Sequence, residues 1–185
     1  MSYLIVETGT GVANANVYDT MDGISAYHEV MGNQAWADAA DSPDDDRESA
    51  FIRGTAYIEG KYGPRLNGKK KGGRSQSLMF PQVGMTDASG EAIADDEVPI
   101  EWKRATYVAA LRELVSPNSL MPDYDGMGRV KSETLGPLSV TYMDAVDGAA
   151  DSQPVIEEID RILQSLIGYT IAGGGRVMTG TTTRI

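Results

Sequence analysis

The chain has 185 residues, 41% of them hydrophobic, which is enough for one domain with a core or one domain with arms. A net charge of −11 sets the body of the protein against general binding to nucleic-acid phosphates, and the lack of cysteine excludes a disulfide frame and thiolate chemistry. No apolar run approaches the roughly 18 residues that span a bilayer, and residues 1–7 have neither the basic start nor the long apolar run of a secretory signal.

Residues 3–7 read as a short strand, and the Gly-, Thr- and Asn-rich residues 8–16 as an extended or loop segment. A first helix is expected from Asp19 or Thr20, either of which can cap it. Ile24, Tyr27, His28 and Met31 follow at helical spacing, and Gly32 is placed to end it. Trp36 is expected to pack against this helix. Next come Ser42, Pro43 and the aspartates 44–46. They form a helix start, with Ser42 as cap, Pro43 at the first helical position and the acids at the positive end of the dipole. Phe51, Thr55, Ile58 and Tyr62 share one face of that helix, and Gly63-Pro64 stops it.

Residues 63–97 then read as one long irregular segment, and loops beyond about 12–15 residues are uncommon in compact domains unless functional or disordered. Residues 61–74 contain six basic residues and no acidic one: Lys61, Arg65, Lys69, Lys70, Lys71 and Arg74. The remainder therefore carries −17 (−11 minus +6). Such contrast suits an arm, Lys69, Lys70, Lys71 and Arg74, that meets an acidic neighbouring subunit; a merely solvated loop accounts for it equally well. Leu78, Phe80 and Pro81 follow as an apolar anchor for the loop.

Val98-Pro99 opens a helix carrying Trp102, Ala105, Val108, Ala109, Leu111, Leu114 and Val115. It is apolar around much of its circumference, so it is expected at the centre of the bundle. The period changes in residues 129–143, where Val130, Leu138, Val140 and Tyr142 flank Leu135-Gly136-Pro137, as in a β-hairpin or β-arm. Residues 144–152 form a small acidic linker. A last helix from Gln153 or Pro154 to Ile167 carries Val155, Ile159, Ile162, Leu163 and Leu166, with Gly168 at its end. Residues 173–185 have no helical period and are expected to be flexible alone in water.

The expected fold is mainly α: a small helical bundle with a β-hairpin or extended arm, and flexible termini that order on assembly. Its parts are an N-terminal arm (1–18), a helical domain (19–167) holding the long loop and the hairpin, and a C-terminal tail (168–185).

No motif carries catalysis. Residues 63–69 spell the first seven positions of a phosphate-binding P-loop, but Lys70 stands where Ser or Thr should hold magnesium, and a helix rather than a strand precedes it. Asp41, Asp44, Asp45 and Asp46 lack the glycine and closing glutamate of a calcium loop, and helix capping explains them. His28, the single histidine, can build no multi-histidine metal site and reads as a core-edge residue. The expectation is no enzyme, no metal and no cofactor. Among aromatics able to stack bases, Trp36, Trp102, Tyr107 and Phe80, the helical ones suit the core, and Phe80 is the best placed for an outside contact.

The order of features resembles the head–tail connector, or adaptor, proteins of tailed bacteriophages, related sequences of which are labelled DnaT-like single-stranded DNA-binding. The resemblance lies in Ala26-Tyr27, the helix around Ala50 and Tyr57-Ile58, the loop 76–81, Val98-Pro99 with Ala105 and Ala109-Ala110, Ser132-Glu133, and residues 135–142. It covers roughly residues 19–167, judged by element order. It departs where an arginine usually follows the Phe-Pro step and Gln82 stands instead. The resemblance implies a virion neck protein assembled in the host cytoplasm. Subunits would form a homo-oligomeric ring, usually of twelve, between portal and tail proteins, with DNA passing through the channel without specific binding and no membrane contact. The tail residues Arg176, Val177, Met178, Arg184 and Ile185 would then meet the portal. The alternative is a single-stranded DNA-binding replication protein using residues 61–74 and Phe80.

Overall fold

The computed structural model describes residues 2–41, 46–122, 132–135, 138–141 and 156–168. The fold is mainly helical, as expected. Helix α1 (Met21–Val30) starts where Thr20 takes an extended backbone and its hydroxyl accepts from the Gly23 amide at 3.2 Å. Ile24 and His28 are buried on its inner face, and Gly32, at φ +68°, turns the chain out. Met31, expected on the inner face, is 53% exposed, because it caps the helix after the last full turn and leaves the stripe.

A short helix α2 (Gln34–Ala40), which the sequence pattern does not announce, carries Trp36. Trp36 does pack on α1: its indole donates to the Ser25 hydroxyl at 3.1 Å, and its ring lies 4.5 Å from that of His28. Helix α3 (Arg47–Tyr62) begins later than the cap at Ser42 implies. The first turn closes through the Ala50 amide on the Asp46 carbonyl at 2.8 Å, and Asp46 makes no side-chain cap. Residues 42–45 lie outside the described residues.

Phe51, Thr55, Ile58 and Tyr62 are buried along α3, joined by Ala50, Gly54 and Tyr57. Gly54 packs directly on the backbone of helix α4 (Ile100–Val115): a Cβ there would stand 2.5 Å from the Ala110 nitrogen. Only hydrogen fits at that crossing. Helix α4 touches α1, α2, α3 and α5 (Glu157–Ile167), and so is the central helix. Its Trp102, Ala105, Val108 and Ala109 feed one apolar cluster and Tyr107 and Ala110 a second. Val115, expected among its core residues, is 63% exposed in the last turn. Helix α5 buries Ile159, Leu163 and Leu166, one face at helical spacing, and ends at Gly168 with φ +72°.

The N-terminal segment has one parallel bridge, Val6 to Val17, in place of the expected strand. The reason is local. The Glu7 carboxylate, 1% exposed, accepts from the amides of Gly9, Thr10, Gly11 and Val12 at 2.7–3.0 Å, which curls the chain after one pair. Two short antiparallel ribbons complete the described fold. In the first, β1 (Lys69–Lys70) pairs with β2 (Gln82–Val83). In the second, β3 (Ser132–Leu135) pairs with β4 (Leu138–Thr141), with Leu135 opposite Leu138. The second is the expected hairpin.

Residues 63–97 are irregular over most of their length, as read, but they are held to the body of the fold. A 3₁₀ turn (Gly63–Arg65) continues α3, β1 and β2 pair across a second 3₁₀ turn (Gly73–Ser75), and the Ala88 amide bonds the Ser165 carbonyl of α5 at 3.0 Å. Gln76 organises the turn from inside. At 3% exposure, its amide nitrogen donates to the carbonyls of Leu78 and Pro81 and its oxygen accepts from the Gly72 amide. Side-chain bonds to backbone of this kind leave no hydrophobic period to read.

Candidate nucleic-acid interface

The ribbon sorts the six cations into two groups. Side chains alternate along a strand, so in β1 Lys69 is exposed while Lys70 turns inward, and Lys71, in the turn that follows, is exposed again. The Lys70 ammonium donates to the carbonyls of Gln76 and Ser77 at 3.2 and 3.1 Å. Lys70 is thus a brace within the turn, not part of a solvated basic tip. Arg74, in the second 3₁₀ turn, is exposed.

Lys61 and Arg65 lie over aromatic faces. The Lys61 ammonium donates to the Tyr57 hydroxyl at 2.7 Å and sits 5.2 and 5.5 Å from the Tyr57 and Tyr62 ring centres. The Arg65 guanidinium lies 5.5 Å from the Tyr62 centre and donates to the Gly168 carbonyl at 3.3 Å. Burial lowers the Lys61 ammonium's pKa, opposed by the nearby Asp160 carboxylate. Burial and Asp160 raise both phenols, Tyr57 to about 12, and the Tyr62 hydroxyl donates to Asp160 at 2.7 Å. Arg65 and the Tyr62–Asp160 bond tie the end of α3 to α5, Lys61 lies along the α3 aromatics, and the outward charge falls to Lys69, Lys71 and Arg74.

The anchor residues explain how the ribbon stays in place. Leu78 is 7% exposed, and Phe80 and Pro81 are buried. The Phe80 ring packs edge-on to Trp102 at 5.2 Å and to Tyr18 at 6.4 Å, and its amide donates to the Tyr18 hydroxyl at 3.1 Å. Tyr18 in turn donates to Glu59 at 2.5 Å, and Glu59 accepts from the Met79 amide at 2.7 Å. Burial raises the pKa of both Tyr18 and Glu59, and the Glu59 carboxyl is pulled back by these same hydrogen bonds. Phe80 therefore holds the loop from within and offers no face to an outside partner, which corrects the expectation of an external contact.

The remaining aromatic candidates fall the same way: Trp36, Trp102 and Tyr107 are at most 4% exposed. Among the described residues Tyr3 is the one aromatic with most of its surface in solvent, at 74%. The described surface around the ribbon offers charge and few aromatic faces for stacking. The P-loop spelling of residues 63–69 folds as a 3₁₀ turn running into β1, and the second 3₁₀ turn follows where a phosphate-binding helix would have to begin.

His28 belongs to the core. It is 1% exposed, its Nδ1 faces the Asn33 amide at 2.9 Å, and burial pushes its pKa down to about 4. Among the described residues no group of three His, Asp or Glu side chains converges on a metal-sized space, and no helix is long and apolar enough to cross a membrane. Sequence reasoning missed the buried polar residues that shape the loops, Glu7, Gln76 and Glu113. Only Glu7 leaves a signal, the turn-rich Thr8-Gly9-Thr10-Gly11 after it.

Fold and site define a class: a small, mainly helical protein with an acidic body and one cationic ribbon clamped to its core. The chain belongs to the family described as "Putative DnaT-like ssDNA binding protein", whose sequence model matches residues 2–185. No curated protein and no solved structure matches it. The family match corrects the head–tail adaptor reading. The family that matches residues 2–185 is described by likeness to a single-stranded DNA-binding protein, so the assignment to a virion head–tail neck is withdrawn. The tail residues Arg176, Val177, Met178, Arg184 and Ile185 lie outside the described residues.

Proposed function

We propose that this protein binds single-stranded DNA through Lys69, Lys71 and Arg74. The observation that carries the reading is their placement: three exposed cations on an ordered ribbon, in a chain whose other residues sum strongly negative. Lys69 in β1, Lys71 in the turn after it and Arg74 in the next turn place three cations close together along one edge. The acidic body repels phosphates elsewhere and confines a strand to this edge. Family membership supports the same ligand.

Contact through phosphates predicts weak dependence on base sequence and strong dependence on salt. The reading is of a binding protein and assigns the chain no covalent chemistry. The test is fluorescence anisotropy with a labelled oligothymidylate across a salt series. Binding that weakens steeply with salt, and is lost when the three cations become glutamate, supports the reading. No binding at low salt overturns it.

A further inference from the structure

Away from the ribbon, a groove of about 690 Å³ opens between the end of α1, the start of α4 and the start of α5. Its apolar lining is Tyr27, Val30, Met31 and Ile162, with Val30 87% and Met31 53% exposed. The neighbouring exposed side chains of Val30 and Met31 are contiguous with the apolar lining of the groove, and it is such contiguous apolar surface that marks an interaction site. The charged wall indicates what fits it. Arg161 is paired with Glu157 at 2.6 Å on the same helix. Arg104 and Glu158 are both exposed, both act electrostatically on the Tyr27 hydroxyl, and neither has an ion-pair partner among the described residues. One groove thus carries an apolar projection, an apolar recess, one unpaired cation and one unpaired anion.

We propose that this face docks a second copy of the chain about a two-fold axis. An isologous contact needs a surface complementary to itself. Here Arg104 of one copy meets Glu158 of the other, and the reverse pair forms by symmetry, while Val30 and Met31 enter the facing groove. A polyanion such as DNA gains nothing from Glu157 and Glu158 on the wall, and a purely apolar ligand leaves both unpaired charges unanswered. The inference stands apart from the DNA-binding reading, since none of these residues lies in the ribbon.

The experiment is analytical ultracentrifugation of the full chain over a wide concentration range. Wild type is expected to dimerise. Arg104→Glu and Glu158→Arg, each placing like charges opposite, are expected to be monomers, as is Val30→Asp. Mixing the two charge variants one to one is expected to restore a dimer. In the mixed pair the glutamate introduced at position 104 of one copy faces the arginine introduced at position 158 of the other, and the second contact keeps its native Arg104 and Glu158. Circular dichroism confirms that each variant is folded. A wild type that stays monomeric, a stoichiometry above two, or a mixture that stays monomeric overturns the proposal. So does a wild-type monomer whose DNA affinity falls in Arg104→Glu, which assigns the groove to nucleic acid instead.

Discussion

Neutralising the outward face of the ribbon, with Lys69→Gln, Lys71→Gln and Arg74→Gln together, tests the DNA-binding reading by its slope. All three residues are exposed, so the fold is expected to survive. Each phosphate neutralised on a single strand contributes about −0.7 to the slope of log affinity against log salt, so three contacts contribute about −2.1. Over a fourfold rise in salt, from about 50 to about 200 mM, this term alone weakens wild-type binding by about 18-fold. The triple variant is expected to lose that share of the salt dependence together with most of its affinity at low salt. Anisotropy with labelled oligothymidylate at five or so salt concentrations gives both quantities. Lys70→Met serves as the internal contrast. Its ammonium is committed to the Gln76 and Ser77 carbonyls, so its loss is expected to cost stability of about 1 kcal/mol per hydrogen bond and to change the slope little. A triple variant with the wild-type slope, or a Lys70→Met slope change as large as that of the triple variant, refutes the division of the cations into outward and bracing groups.

Three further outcomes test the fold. Glu113, fully buried, accepts from Arg53 at 2.9 Å and from the amides of Asn118 and Leu120 at 2.8 and 3.0 Å. Glu113→Ala removes the acceptor of all three, leaving the Leu120 amide buried without one, and is expected to cost about 3 kcal/mol in urea unfolding. Gly54→Ala drives a methyl against the α4 backbone, within 2.5 Å of the Ala110 nitrogen, and is expected to cost about 2–3 kcal/mol by the same measurement. His28 is held neutral in the fold, with its pKa lowered from 6.5 to about 4. The unfolded chain takes up that proton first, so stability is full above pH 6.5 and falls as pH drops toward 4. Urea midpoints read across that window are expected to show the loss in wild type and to be flatter in His28→Asn.

What the sequence made legible was whatever repeats. The α3 stripe of Phe51, Thr55, Ile58 and Tyr62 is spaced by the helix itself and buried as read; of the α5 stripe, Ile159, Leu163 and Leu166 are buried, Ile162 is half-buried, and Val155 lies outside the described residues. The hairpin announces itself through a change of period around Leu135-Gly136-Pro137. Helix α2 escapes such a reading because seven residues are too few for a stripe, and Trp36 is its sole buried member. The site was half legible. Six cations in fourteen residues stand out in any reading of charge, but a charge count cannot tell Lys69 from Lys70. That distinction comes from strand alternation and from the two carbonyls that Gln76 and Ser77 turn toward the ammonium. Phe80 misleads for a related reason. In a segment without period, its burial depends on Tyr18 and Trp102, distant in sequence, and on the Glu59 carboxylate that fixes Tyr18 and the neighbouring Met79 amide.

Those same contacts decide how the ribbon behaves on binding. A flexible basic loop loses conformational freedom when a strand orders it, and that loss opposes affinity. Here the ordering has already occurred in folding. Phe80 sits in the main cluster between Tyr18 and Trp102, the Gln76 amide closes the turn, and Lys70 braces it from beneath. The outward cations need only fix their own side chains. It follows that the cationic edge and the core are coupled, with Phe80 at their junction. Phe80→Ala, which opens a cavity at that junction, is expected to destabilise the fold by about 3–5 kcal/mol. It is also expected to weaken DNA binding at temperatures where the protein is still folded, although Phe80 touches no ligand. Affinity unchanged in a folded Phe80→Ala protein would mean that the cations act as independent charges, and that the rigidity of the ribbon has no part in binding.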